Sequence, residues 1–337
     1  MYYTKIILFV TLSFVFTNAT QVFSQTDTLK IAILGDSRSD GEEGTNGING
    51  GVLSKLFSLV KQQNPAAVFF TGDLTLGLEK KKNVKPGDTV NPAPTSDVFE
   101  NHWEKAGFIY DQTAFRKMIT TFIEIKNEHL GTEIPFYPMI GNHEAIGTVS
   151  VSLFKEYFNI PQAPGVDSMH LVYNIGIENA NFVIMATDYY NRKIEALVEH
   201  NLNGGQIDWL KNELQTTKDK YNYFFVMGHE PAYSLSALSG GKAKGLDKFP
   251  KERNIFWDIL KSNGVNAYVC AHEHTFDAAV QNGLWQIITG GAGAPLQPGG
   301  FYHFIILKIP QFPDGVLSID VIDINNTLVR TIVLAKQ

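Results

Sequence analysis

With 337 residues, 44% of them hydrophobic and 18% charged, the chain is long enough for one large core and does not demand a second domain. A formal net charge of -6 and the lack of an extended basic segment remove the field that would hold a phosphate backbone, so long nucleic acid is not an expected partner. The single cysteine, Cys270, excludes an intrachain disulfide, and its place in an apolar run marks it as a buried, inert thiol.

The chain opens on Lys5 and the apolar run from Ile6 to Phe16, followed by small polar residues. This reads as a secretory signal peptide over 1–24, cleaved after Ala19 or Ser24, because the run is shorter than the roughly 20 residues of a membrane span. A protein exported to the periplasm or the exterior, with no stable span after leader removal, is the expectation. The rest, 25–337, reads as one domain.

Leu29 to Leu34 is a buried strand ending in Gly35-Asp36-Ser37-Arg38, and Leu53, Leu56, Phe57 and Val60 then recur at helical spacing. Ala66 to Phe70 is a second unbroken apolar run, ending in Thr71-Gly72-Asp73. Such runs alternating with amphipathic helices predict an α/β fold whose strands are covered on both faces. A surface excursion is expected from about 76 to 107, and its Lys80-Lys81-Lys82 reads as a solvated face. Phe108 to Glu128 is expected as a helix. Ile134 to Ile140 is a strand ending in Gly141-Asn142-His143-Glu144. Met169 to Ile175 and Asn181 to Ala186 suit a hairpin, Tyr223 to Met227 a strand ending in Gly228-His229-Glu230-Pro231. A second excursion covers about 232–251, and Val265 to Cys270 ends in Ala271-His272-Glu273-His274. The flexible loop Gly290 to Pro295 is expected to allow close backbone approach near the site. The tail runs Phe304 to Ile309, Val316 to Ile322 and Leu328 to Leu334 are expected as antiparallel strands closing the second sheet.

Asp36, Asp73, Asn142, His229, His272 and His274 all fall just after expected strands. In open α/β sheets, residues beyond the carboxyl ends of strands gather in one crevice. Two carboxylates, one amide and three imidazoles exceed what one tetrahedral ion needs, so two metal ions sharing a carboxylate are expected, drawn from Zn, Mn or Fe. Such a pair, about 3.5 to 4 Å apart, can activate a bridging hydroxide for attack on phosphorus. His143 sits beside a ligand, where it can donate a proton or stabilise charge. His102, His129, His170, His200 and His303 read as surface or packing residues, and Glu144, Glu230 and Glu273 as supporting partners of the ligands.

These five ordered motifs, from Gly35 to His274, resemble the calcineurin-like metallophosphoesterase superfamily, including its purple acid phosphatase branch. The resemblance implies a four-layer αββα sandwich of two mixed β-sheets flanked by helices. It also implies that Asp73 bridges, that Asp36 and His274 serve the first ion, and that Asn142, His229 and His272 serve the second. His143 would be the catalytic histidine. Three positions depart from the pattern: Arg38 replaces a ligand histidine, Leu76 stands where purple acid phosphatases carry a tyrosine, and Ala271 replaces a glycine. Arginine has no lone pair for a metal. Arg38 is therefore expected to clamp a substrate phosphate, to weaken the first metal site, or to pair with a carboxylate.

The expected activity is hydrolysis of a phosphomonoester or small phosphodiester on a phosphorylated small molecule, by a metal-bridging hydroxide. The alternatives are a phosphodiesterase acting on cyclic nucleotides, lipid head groups or envelope polymers, and a catalytically impaired member that binds a ligand or protein.

Overall fold

The apolar runs become strands because their residues are buried on both faces, and helices fill the intervals. The computed structural model describes residues 28–41, 44–80, 108–194, 196–312 and 314–335; the expected leader and most of the first excursion lie outside the described residues. In chain order the elements are β1 (Thr28–Leu34), α1 (Gly50–Gln62), β2 (Ala67–Phe70), β3 (Glu79–Lys80), β4 (Phe108–Ile109), α2 (Gln112–His129), β5 (Phe136–Pro138) and α3 (Thr148–Phe158). There follow β6 (Tyr173–Ile177), β7 (Ala180–Ile184), β8 (Tyr189–Asn191), β9 (Ala196–Val198), α4 (Gly204–Thr217), β10 (Tyr223–Met227), α5 (Leu235–Leu238) and α6 (Pro250–Ser262). The last are β11 (Ala267–Cys270), β12 (Phe276–Gln281), β13 (Leu284–Thr289), β14 (His303–Pro310), β15 (Ser318–Asp323) and β16 (Leu328–Val333).

Two six-stranded mixed sheets result, ordered β16-β15-β14-β1-β2-β5 and β12-β13-β11-β10-β7-β6. In the first, β1, β2 and β5 run parallel; in the second, β7, β10, β11 and β13 do. The period-2 alternation of strand side chains divides β2 between two interfaces. Phe69 faces the other sheet, its ring 4.7 Å from that of Phe182, while Phe70 faces the helices, 5.2 Å from Phe122 and 6.3 Å from Phe57. Across the second sheet, Phe256 of α6 packs edge-on against Tyr268 of β11 at 5.3 Å. The architecture is an α/β fold of mixed sheets flanked by helices, consistent with a four-layer sandwich.

Two expectations change. The three tail strands do not close the second sheet: β14 lies antiparallel to β1, pairing Ile31 with Leu307, and β15 and β16 extend the first sheet outward. Phe304, Ile305, Leu307 and Ile309 are fully buried, as a strand in the middle of a sheet requires. Phe108 pairs with Lys80 in a short ribbon instead of opening a helix; α2 starts at Gln112 because the Asp111 side chain accepts from the backbone N–H groups of Thr113 and Ala114 at 2.9 Å. The hairpin of β6 and β7 forms as expected, and Cys270 is buried. The second excursion folds as α5 and a 3-10 turn at Leu246–Lys248. Among the described residues, no helix is long and apolar enough to cross a membrane.

Candidate metal centre

The loops after β1, β2, β10, β11 and β13 are laced together by backbone hydrogen bonds. Asp36 N–H donates to the Gly72 carbonyl, Ala271 N–H to His229, and Ala292 N–H to Gly35, at 2.8 to 3.1 Å. This lacing brings residues more than two hundred positions apart into one crevice. It also demands unusual backbone. Asp36, Asp73 and His272 all adopt left-handed conformations, with φ of 61°, 51° and 64°. Each such residue costs of order 1–3 kcal/mol, and the cost falls on three of the expected ligands.

Glycines make the approach possible. Gly72 has φ of 94°, and a Cβ there would meet the His229 ring, 2.6 Å from Nδ1. A Cβ on Gly290 would meet Asp36 Oδ2 at 2.6 Å, so the glycine loop after β13 does touch the site, as its composition implied.

Two groups of donor atoms draw together within 4.8 Å: Asp36, Asp73 and His274, and a second set of His200, Glu230 and His272. Asn142 and His229 stand between them. His229 Nε2 lies 3.2 Å from Asn142 Oδ1, 3.3 Å from Asp73 Oδ1 and 3.2 Å from His272 Nδ1. The structure thus brings together all six expected ligands.

Carbonyl oxygens set the tautomers. His229 Nδ1–H donates to the Thr71 carbonyl at 2.9 Å, His274 Nδ1–H to Pro295 at 2.8 Å, and His143 Nδ1–H to Leu76 at 2.7 Å. A carbonyl only accepts, so in each neutral ring Nε2 keeps its lone pair and faces the crevice. Backbone partners of this kind hold a ligand ring in orientation.

The electrostatics agree. Burial holds His143 near about 4 and His274 near about 3, and burial followed by the neighbouring imidazoles holds His272 well below its ordinary value. These rings are neutral and ready to coordinate at neutral pH. Burial and the adjacent Asp73 push the Asp36 carboxyl well up. Asp73 is also raised by burial, but His229, His143 and Arg38 outweigh that and hold it below the usual carboxylate range. Asp36 Oδ1 is buried with no hydrogen-bond partner among the described residues. An orphaned carboxylate oxygen facing unprotonated imidazole fits a cation.

Arg38 and Leu76 have definite places. The Arg38 Nε is 3.6 Å from Asp73 Oδ2, and its Nη1 donates to the Ser39 carbonyl at 3.3 Å. Leu76 puts its side chain into the core and offers only its carbonyl, to His143. Glu144 supports the Asn142 loop by accepting from the N–H groups of Thr75 and Gly141, and Glu273 accepts from Leu235 and Ser236, fastening α5.

Sequence reasoning missed Glu199 and misplaced His200. Glu199 Oε1 accepts from Asn142 Nδ2 at 3.1 Å, which turns the amide oxygen towards His229. His200, read as a packing residue, sits 2.8 Å from Glu230 and is part of the second donor group. No motif signals either; the adjacent acid and imidazole at 199 and 200 were the available cue. His129, His170 and His303 contact Ser58, Asn203 and Thr289 instead of the expected ligands; His102 lies outside the described residues.

Known proteins share sequence or fold with this chain. Tartrate-resistant acid phosphatase type 5 of Rattus norvegicus is 24% identical over 210 residues, 58% of this chain and 58% of the relative. The Homo sapiens protein is 23% identical over 194 residues, 53% and 55% of the two chains. The matched stretch thus spans a little over half the length of these relatives. A purple acid phosphatase from yellow lupin (Lupinus luteus) seeds shares the fold with a TM-score of 0.62 at 13% identity, covering 92% of this chain and 54% of its own. GAP50, the anchor in the inner membrane complex of Plasmodium, gives a TM-score of 0.52 at 14% identity, covering 93% and 90%. The sequence profile of the calcineurin-like phosphoesterases matches residues 29–276, which include every donor of the crevice, and the chain belongs to that family, with two metal-ligand clusters consistent with a dinuclear centre like that of purple acid phosphatases.

Proposed function

We propose that the protein hydrolyses a phosphate ester of a modest-sized molecule at this centre. The observation that carries the proposal is the set of pinned tautomers: His229 and His274 have Nδ1–H tied to carbonyls and Nε2 aimed at Asp73 and Asp36, an arrangement with no purpose in packing alone. Asp36, Asp73 and His274 would hold the first ion, and Asp73, Asn142, His229 and His272 the second. Bound ions there supply Lewis acidity and an acidified water as nucleophile. The chain's own work is to orient the phosphoryl group and manage a proton. His143 Nε2, 3.9 Å from Asp73 Oδ2, faces the reacting region with its lone pair free; it can take up a proton there and, once protonated, pass it to the leaving group. Arg38 presents a guanidinium beside the bridging carboxylate, where it can bind a phosphate oxygen.

A cleft of about 640 Å³ supports a small substrate. It is lined by Asn49, Thr121, Gly293, Pro295 and Tyr302, and it borders the centre through Pro295, which holds His274. The apolar run at Ile6 to Phe16 supports action after export. A second reading, a ligand-binding member without turnover, is favoured by the contact of Arg38 with Asp73, since a fixed cation there competes with the first ion. Metal content measured alongside hydrolysis of p-nitrophenyl phosphate and bis-p-nitrophenyl phosphate under added Mn, Zn or Fe separates them. At least two ions per chain, with turnover lost in Asp73→Ala, supports hydrolysis, and the substrate ratio chooses monoester or diester. Tight phosphate binding without turnover supports the second reading.

A further inference from the structure

The second donor group contains more than a second ion at the Asp73 centre requires. Nδ1 of His272 lies 3.2 Å from His229 Nε2, so its lone pair belongs with the Asp73 set. His200 and Glu230 remain, next to His272: Glu230 Oε1 is 3.5 Å from its Nδ1, and its ring is 5.7 Å from that of His200. We propose that His200, Glu230 and Asp188 form a third cation site behind the dinuclear centre, suited to Zn²⁺ or Mn²⁺.

The Glu230 side chain is fully buried, and both its oxygens lack a hydrogen-bond partner among the described residues, as does Nδ1 of buried His200. That nitrogen and Glu230 Oε2 are 2.8 Å apart, but not aligned for an N–H···O bond. The main chain of Glu230 is firmly held: its N–H donates to Thr187 Oγ1 at 3.0 Å and its carbonyl accepts from the Tyr268 hydroxyl at 2.6 Å. Its carboxylate is therefore presented to His200 by a fixed backbone. Asp188, also fully buried, adds a second carboxyl beside Glu230, its Oδ2 accepting from Thr187 Oγ1 at 3.0 Å and its Oδ1 from the His200 backbone N–H at 3.4 Å. Among the described residues, neither Asp188 nor Glu230 forms an ion pair with a lysine or arginine.

Two buried carboxyls and an imidazole that form no ion pair with a lysine or arginine among the described residues are costly unless a cation joins them. One nitrogen and carboxylate oxygens form a donor set for zinc or manganese, and solvent completes it. Such an ion would lie next to the ligand His272, whose Nδ1 is 3.5 Å from Glu230 Oε1, and would leave that ring's lone pair to the Asp73 centre. The inference rests on assigning His272 to the second ion, as proposed above.

The test is to strip the full chain of metal, reload it with Zn²⁺ alone or Mn²⁺ alone, desalt it and count ions by elemental analysis. Wild type is expected to hold three per chain; Glu230→Gln and His200→Ala are expected to hold two, with unchanged circular dichroism. The near-isosteric glutamine guards against a folding defect in the alanine variant. Anomalous diffraction from zinc-loaded crystals should place one peak between His200 and Glu230, apart from those around Asp73. A wild type without that peak overturns the third site, and so does a folded Glu230→Gln variant that loses an ion from the Asp73 centre. Absence of the peaks around Asp73 would instead overturn the dinuclear assignment, so the two failures are told apart.

Discussion

The guanidinium Nε of Arg38 lies 3.6 Å from Oδ2 of Asp73, the carboxylate proposed above to serve both ions. A permanent positive charge thus stands where relatives of this fold are expected to carry a ligand histidine. It helps keep Asp73 ionised, after burial has raised it and His229 and His143 have lowered it. It also supplies donors that a phosphate can take over.

Arg38→Ala is expected to weaken inorganic phosphate inhibition by roughly tenfold or more, the worth of a charged hydrogen bond of about 1.5–3 kcal/mol. Metal content should remain unchanged. Competition assays beside elemental analysis check this; unchanged phosphate affinity would remove the clamp and leave Arg38 a structural partner of Asp73.

Asp73→Ala removes the carboxylate proposed to serve both ions and should abolish stable metal binding. Turnover is expected to fall by roughly 10³-fold or more, since Lewis-acid stabilisation is worth several kcal/mol. The measurement is kcat at saturating metal, and a variant that keeps both ions and its rate would remove Asp73 from the bridging position.

His143→Gln keeps polarity but removes the Nε2 lone pair that takes up a proton and passes it on. A fall in kcat of roughly 10²–10⁴-fold with metal content intact is expected for a general acid. Leaving-group dependence is diagnostic: the loss should shrink for p-nitrophenol, a good leaving group, and grow for an alkyl ester. An equal loss on both would assign His143 to phosphate binding.

Gly77→Ala tests the support of that histidine. Gly77 has φ of 71°, and an added Cβ would collide with the His143 carbonyl. Left-handed strain alone costs roughly 1–2 kcal/mol, and the collision displaces His143. Thermal unfolding is expected to show a lower Tm and kinetics a lower kcat, whereas an Ala at Gly264, with φ of 67° and open space, should lower only Tm.

His303, fully buried, hydrogen-bonded to Thr289 and Phe301 rather than to an expected ligand, and held at about 4 by burial, reports pH linkage without the metals. Its folded pKa is below the unfolded value, so its contribution is complete above about 6.5 and is lost as pH falls towards 4. In chelator, His303→Gln is expected to be less stable than wild type at pH 7, because it disturbs the contacts with Thr289 and Phe301. Its deficit should narrow by a few kcal/mol on acidification to pH 4. Denaturant titrations at the two pH values check this, and a constant deficit would mean that His303 does not titrate in that range.

Much of this centre was legible in the chain itself. Asp36, Asp73, Asn142, His229, His272 and His274 follow apolar runs, and residues beyond the carboxyl ends of strands in such sheets share one crevice, so local pattern sufficed to gather them. The α/β character and the helix faces of α1 and α2 followed from periodicity in the same way. Three things required the folded molecule. The tail strands joined the first sheet because partner choice depends on which edge is open and buried, a non-local fact. The tautomers of His143, His229 and His274 depend on carbonyls of Leu76, Thr71 and Pro295, which carry no side-chain signal because any residue provides a carbonyl. Glu199 and His200 entered the site only because the chain beyond β7 turns back over β10, placing them beside Asn142 and Glu230. Local spacing determines which residues follow a strand; burial and pairing between distant segments decide which of them meet.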